Sequence, residues 1–151
     1  MIRNTLPGNS LIIDSGFWLA LANRRDKYHE EAIQALNQFE SLLFITTWPV
    51  IIEASHLIYK RVHYDAQMLF LNSIAQGGVD IFNLDQPDHW GRILELIQQY
   101  RDLPMDLADA SLVILAEELG HGQILSTDLR DFRTYRWKYH DPFEKLLLPE
   151  L

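Results

Sequence analysis

Short apolar runs alternate with longer stretches of helical period along this chain. Leu11-Ile12-Ile13 is an all-apolar run, the form taken by a strand buried on both faces. Similar short runs occupy 42–46, 79–84 and 123–126. Between them, apolar residues recur at helical spacing. Residues 17–23 predict a short helix, and 28–39 a second one with Ala32, Ile33, Ala35 and Leu36 on its face. Thr46-Thr47-Trp48-Pro49 opens a third, with Thr as cap and Pro in the first turn. Its stripe is Val50, Ile51, Ala54, Leu57 and Ile58. Residues 64–75 form the next helix, and Gly77-Gly78 stops it. Residues 88–100 follow, with Trp90, Ile93, Leu94 and Ile97 expected inward, and then 105–119, ended by Gly120. A turn of helix is expected over 130–132, an edge strand over 135–137 and a closing apolar tail over 143–148. The alternation predicts an α/β chain with a mainly parallel sheet.

The length of 151 residues suits one domain over 1–151, large enough for a sizeable core. Cysteine is absent, which removes disulfides and thiolate metal sites and suits a reducing cytoplasm. No apolar run approaches the roughly 20 residues of a membrane span, so no membrane is expected. Residues 1–10 lack the apolar core of a signal peptide and read as a short lead-in. The net charge of -8 argues against a broad electrostatic nucleic-acid coat. It leaves room for a nuclease whose acids hold metal ions, or for an acidic surface that meets a basic partner.

Asp14 and Asp128 each end a short apolar strand, where open α/β sheets place their ligands. Glu53 lies about a turn into the helix after the second strand, and Asp109 near the start of the 105–119 helix. Helices that follow parallel strands begin at one common edge, so all four carboxylates can converge. Gathered acids raise one another's pKa values, and a divalent cation removes that penalty. Mg²⁺ and Mn²⁺ take carboxylate oxygens and support phosphodiester hydrolysis with one ion or two. Each acid has a plainer reading beside this one. Asp14 also reads as a helix N-cap, as does Asp106. Asp128 also reads as a turn residue, and Asp131 as a turn or surface acid.

Other signals carry less. Glu53 and His56 spell an E-x-x-H pair, but iron sites of helical bundles need that motif twice, so His56 is expected to be packed or hydrogen-bonded. His29 is expected at a helix start in a capping or surface role. There is no H-E-x-x-H, G-x-S-x-G or phosphate-binding glycine loop. Arg130, Arg133, Arg136 and Lys138 interleave with Phe132, Tyr135, Trp137 and Tyr139. That fits either phosphate and base contact or a solvated edge strand with its aromatics inward.

Four stretches in this order resemble the PIN domain, especially VapC-type toxins. They are Leu11-Ile12-Ile13-Asp14-Ser15-Gly16-Phe17-Trp18, Thr46-Thr47-Trp48-Pro49-Val50-Ile51-Ile52-Glu53, Leu107-Ala108-Asp109-Ala110-Ser111-Leu112-Val113 and Ile124-Leu125-Ser126-Thr127-Asp128-Leu129-Arg130-Asp131-Phe132. The resemblance implies a three-layer α/β/α sandwich and a Mg²⁺- or Mn²⁺-dependent ribonuclease. It implies Asp14, Glu53, Asp109 and Asp128 as the catalytic and metal-holding set, with Ser15 and Thr127 orienting carboxylates or water. It further implies a homodimer, silenced by a cognate VapB-type antitoxin. Gly16 departs from the Ser, Thr or Asn common in the family, and the lead-in before the first strand is longer than usual. The family also contains housekeeping nucleases. The other reading from a different class is a PIN-fold module that binds RNA or protein with little turnover.

Overall fold

The computed structural model describes residues 9–146. The sequence expectations for 1–8 and for the end of the apolar tail lie outside them. Five parallel strands form the central sheet, in the order β3-β2-β1-β4-β7. These are β1 (Ser10–Ile13), β2 (Leu43–Thr47), β3 (Asp80–Phe82), β4 (Gln123–Leu125) and β7 (Glu144–Lys145). Every residue of β1 is buried. A central parallel strand has a helix layer on each face, so its apolar run is continuous rather than alternating. Register pairs Ile12 with Ile45 on one side and with Ile124 on the other. This aligns the carboxyl ends of β1, β2 and β4.

Helices flank the sheet: α1 (Ser15–Ala22), α2 (His29–Gln38), α3 (Trp48–Arg61), α4 (Tyr64–Ala75), α5 (Pro87–Gln99), α6 (Leu107–Leu119) and the short α7 (Leu129–Thr134). Helix α6 packs on β1 and β2, and α3 packs on α1 and α6. The central residues of α6, Ala110 to Ala116, are all buried, and the one polar side chain among them, Ser111, donates to the Ala108 carbonyl. Gly120 ends it in the left-handed conformation, φ 78°, which glycine adopts without a Cβ penalty.

Three expectations are corrected. The 135–137 strand is the two-residue β5 (Arg136–Trp137), paired antiparallel with β6 (Asp141–Pro142) in a separate ribbon; the edge of the main sheet is β7. On α5, Trp90 and Leu94 are 64% and 65% exposed. The buried stripe is His89, Ile93, Leu96 and Tyr100, rotated one position from the expected one. Both stripes satisfy a helical period, and α5 packs on α6 through the second. His56 is exposed rather than packed.

Candidate active site

The site is built at the carboxyl edge of the sheet. Asp14 follows β1 directly, is buried, and caps α1 by accepting the Ser15 N–H at 2.7 Å. Asp128 follows β4 and caps α7, accepting the Asp131 N–H at 3.1 Å. Asp106 caps α6, accepting the Asp109 N–H at 2.8 Å, which brings Asp109 into the first turn. Glu53 stands in the second turn of α3, whose Thr47 cap ends β2. At α1, α6 and α7 capping and convergence coincide, because the acid that caps the helix also stands at the common edge; Glu53 reaches it from within α3.

Hydroxyl groups hold single oxygens of these acids. Ser126 donates to Asp14 Oδ2 at 2.8 Å and accepts the Asp128 N–H at 2.9 Å, so one buried serine ties the ends of β1 and β4. Ser15 donates to Glu53 Oε1. Tyr135, fully buried after α7, donates to Asp109 Oδ2 at 3.0 Å. The ends of β1 and β2 are tied as well, because Thr46 donates to the Ile13 carbonyl at 2.8 Å.

The four carboxylates share one field. Burial is the largest cause of each upward shift, and the neighbouring acids add to it. Asp14 is raised by burial and by Asp106. Glu53 is raised to about 7 by burial and by the adjacent Asp106 and Asp14, against the Ser15 hydrogen bond. Asp109 is raised to about 8 by burial and by Asp106, Asp14 and Asp128, with Tyr135 opposing. Asp128 is raised to about 6 by burial, Asp131 and Asp14. Among the described residues, none of these four acids has an ion pair. Nor do any three carboxylates or imidazoles there stand close enough, as placed, to hold a metal ion together. The acids influence one another at one edge, and each is a hard carboxylate of the type that Mg²⁺ and Mn²⁺ take.

All four residues singled out from the sequence thus meet at one edge. Two further acids join them. Asp106 has a capping signature, and nothing in its local sequence reveals that Glu53 approaches from another helix. Asp131 lies beside Asp128 through the first turn of α7. Ser126 and Tyr135 were not singled out as site residues. Ser126 sits in the strand-end motif and could have been found there, whereas Tyr135 sits in an aromatic-rich segment that read as an edge strand. Ser15 is in place. Thr127 crowds Gly16: a Cβ on Gly16 would stand 2.2 Å from Thr127 Oγ1.

The comparisons agree with this architecture. A family model of the PIN domain matches residues 11–138, and the chain belongs to that family. Ribonuclease VapC26 of Mycobacterium tuberculosis is 25% identical over 126 residues, covering 83% of this chain and 92% of the relative. The crystal structure of Mycobacterium tuberculosis VapC20, titled a sarcin–ricin loop cleaving toxin, matches with a TM-score of 0.70 at 19% identity. That match covers 80% of this chain and 91% of the other, and it speaks for the fold.

Proposed function

We propose that this protein is an endoribonuclease that hydrolyses RNA phosphodiester bonds with Mg²⁺ or Mn²⁺, as the toxin of a VapBC-type pair. The observation that carries the reading is the meeting of Asp14, Glu53, Asp109 and Asp128, from four separate segments, at one sheet edge in a PIN-family chain. The ribonuclease name of a relative aligned over most of both chains supports the reaction class. The all-oxygen donor set and the mutual elevation of the acids fit a hard divalent cation.

Asp14 and Asp109 would hold the ion on this reading, with Asp128 beside them and Glu53 left to act as base. Once bound, such an ion supplies Lewis-acid stabilisation of a scissile phosphate. Ser126 and Ser15 keep Asp14 and Glu53 in one orientation, so little rearrangement is left for the reaction itself. Glu53, held at Oε1 by the Ser15 hydroxyl, takes the proton of the water that attacks phosphorus. The 3′ oxygen leaves, giving a 3′-hydroxyl and a 5′-phosphate end.

A VapB-type antitoxin and a second copy of the chain are the partners this reading carries, in the cytoplasm. The apolar groove of about 410 Å³ between the starts of α3 and α6 and the outer face of α5 supports protein contact. It exposes Trp48, Trp90 and Leu107. Among the described residues, no helix is long and apolar enough to cross a membrane.

The test is incubation of the purified protein with total RNA in Mg²⁺, Mn²⁺ or EDTA, followed by mapping of the new ends. Discrete 5′-phosphate ends that appear with the metals and vanish with EDTA are expected. Intact RNA under every condition overturns the catalytic reading and leaves the binding module.

A further inference from the structure

We propose that Tyr135 is a positioning residue for the site: it fixes the rotamer of Asp109 by engaging Oδ2, which would leave Oδ1 to a cation. The inference rests on the metal-site reading above and names a residue that reading does not contain.

Asp109, like Glu53, is held by a single hydroxyl. Asp14 is held from two sides, by the Ser15 N–H and the Ser126 hydroxyl. Asp128 accepts a backbone N–H of its own helix. The Asp109 carboxylate has one side-chain donor among the described residues, the Tyr135 hydroxyl at 3.0 Å. A carboxylate with one free torsion at its tip and like charges around it turns away from them unless something holds it.

Tyr135 is built to hold. Its ring is fully buried, edge-on to Tyr100 at 5.0 Å and to Phe132 at 5.2 Å between centroids. Its N–H closes α7 on the Asp131 carbonyl at 3.0 Å. Backbone and ring are both fixed, so the hydroxyl arrives at Asp109 with almost no rotamer freedom left to lose. A phenol that donates to one oxygen of a ligating carboxylate sets its orientation, and removal of such partners weakens metal affinity by about tenfold or more.

The test compares wild type, Tyr135→Phe and Tyr100→Phe by calorimetric titration with Mn²⁺, by steady-state RNA cleavage, and by thermal melting without metal. Tyr100 is a matched control: it belongs to the same ring cluster and its hydroxyl accepts the Arg136 N–H at 3.0 Å, away from the acids. Tyr135→Phe is expected to weaken Mn²⁺ binding about tenfold and to lower kcat while KM for RNA holds, with Tyr100→Phe binding Mn²⁺ like wild type. Wild-type affinity in Tyr135→Phe, or equal weakening in both variants, overturns the positioning role and leaves the metal site standing. Absence of Mn²⁺ binding by wild type overturns both. A 3-fluorotyrosine at position 135 serves if the phenylalanine variant does not fold. Its fluorine resonance is expected to shift on Mg²⁺ titration with the midpoint found by Mg²⁺ calorimetry of the same protein, and a resonance that stays put overturns the proposal.

Discussion

Two acidic regions of this molecule handle the same charge in opposite ways. At the α5–α6 seam, Glu117 receives Arg92 through two parallel hydrogen bonds of 3.0 and 2.7 Å, a bidentate geometry. Arg92 also reaches Glu95 and stacks on the Tyr139 ring at 4.3 Å. His89 faces Glu118 at 3.4 Å; its Nδ1 accepts the Gln86 N–H, which leaves the proton on Nε2, toward the glutamate. Glu117 also accepts the Lys138 N–H at 2.6 Å, at a turn where Lys138 and Tyr139 both have positive φ. Glu117 and Glu95 share Arg92 within the chain, and Glu118 meets an imidazole N–H. At the carboxyl edge of the sheet, Asp14, Glu53, Asp109 and Asp128 have hydroxyl and N–H donors but no cation among the described residues. Hydrogen bonds orient those acids without neutralising them. One acidic region holds an arginine of the chain; the other, among the described residues, holds none.

The sharpest way to break this contrast is to exchange charge for amide in each region. Asp14→Asn is expected to lower cleavage by at least about 10³-fold, equivalent to about 4 kcal/mol of transition-state stabilisation. The fold should persist, because asparagine still caps a helix. Glu117→Gln is expected to do the reverse. Cleavage stays within a few-fold of wild type, while denaturant unfolding shows a loss of about 1–3 kcal/mol, from a weakened charge-assisted pair and a less restrained left-handed turn. Equal loss of activity in both variants would erase the distinction.

Next in size is the contact behind the edge. Gly16→Ala places a Cβ against Thr127 Oγ1 and is expected to cost about 1–3 kcal/mol of overpacking in equilibrium unfolding. Adding Thr127→Ala should recover most of it, since the Thr127 Cβ would stand at an ordinary 3.4 Å. Strictly additive losses would show that the two residues do not share this space.

A further effect concerns pH. Asp109 and Glu53 are raised to about 8 and 7 by burial and like charge, from ordinary values near about 4. The folded state therefore holds more protons than the unfolded one between those limits. Their contribution to stability is complete below about pH 4 and is lost as pH rises through about 7 and 8. Metal-free protein is expected to show this as a falling melting midpoint over that interval. The gain from added Mg²⁺ should grow over the same interval, because a cation competes with protons for these oxygens. A Mg²⁺ effect as large at pH 5 as at pH 8 would contradict the coupling.

Much of this was legible in the chain because strand ends carry local signatures. A run such as Leu11-Ile12-Ile13 ahead of an acid tells both where the strand stops and what it presents. Asp109 and Glu53 follow from the rule that helices after parallel strands start at the same edge. Partners fixed by tertiary approach were not legible. Asp106 looks like an ordinary cap, and only the crossing of α3 and α6 puts Glu53 beside it. Tyr135 looks like one aromatic among several, because nothing local says that its hydroxyl points at Asp109. Trp90 and Leu94 fit a helical period as well as the buried stripe does, so periodicity could not choose between the two faces of α5. The two-residue β7 is too short to leave a period at all.

The central claim is that the acids at the sheet edge together receive a hard divalent cation. It is tested most directly by soaking crystals of the protein with Mn²⁺ and recording anomalous difference density. The account predicts a peak about 2.1 Å from carboxylate oxygens of both Asp14 and Asp109, lost in Asp14→Asn. Density confined to the α5–α6 seam, or none at the sheet edge at a Mn²⁺ concentration that sustains RNA cleavage, would contradict it.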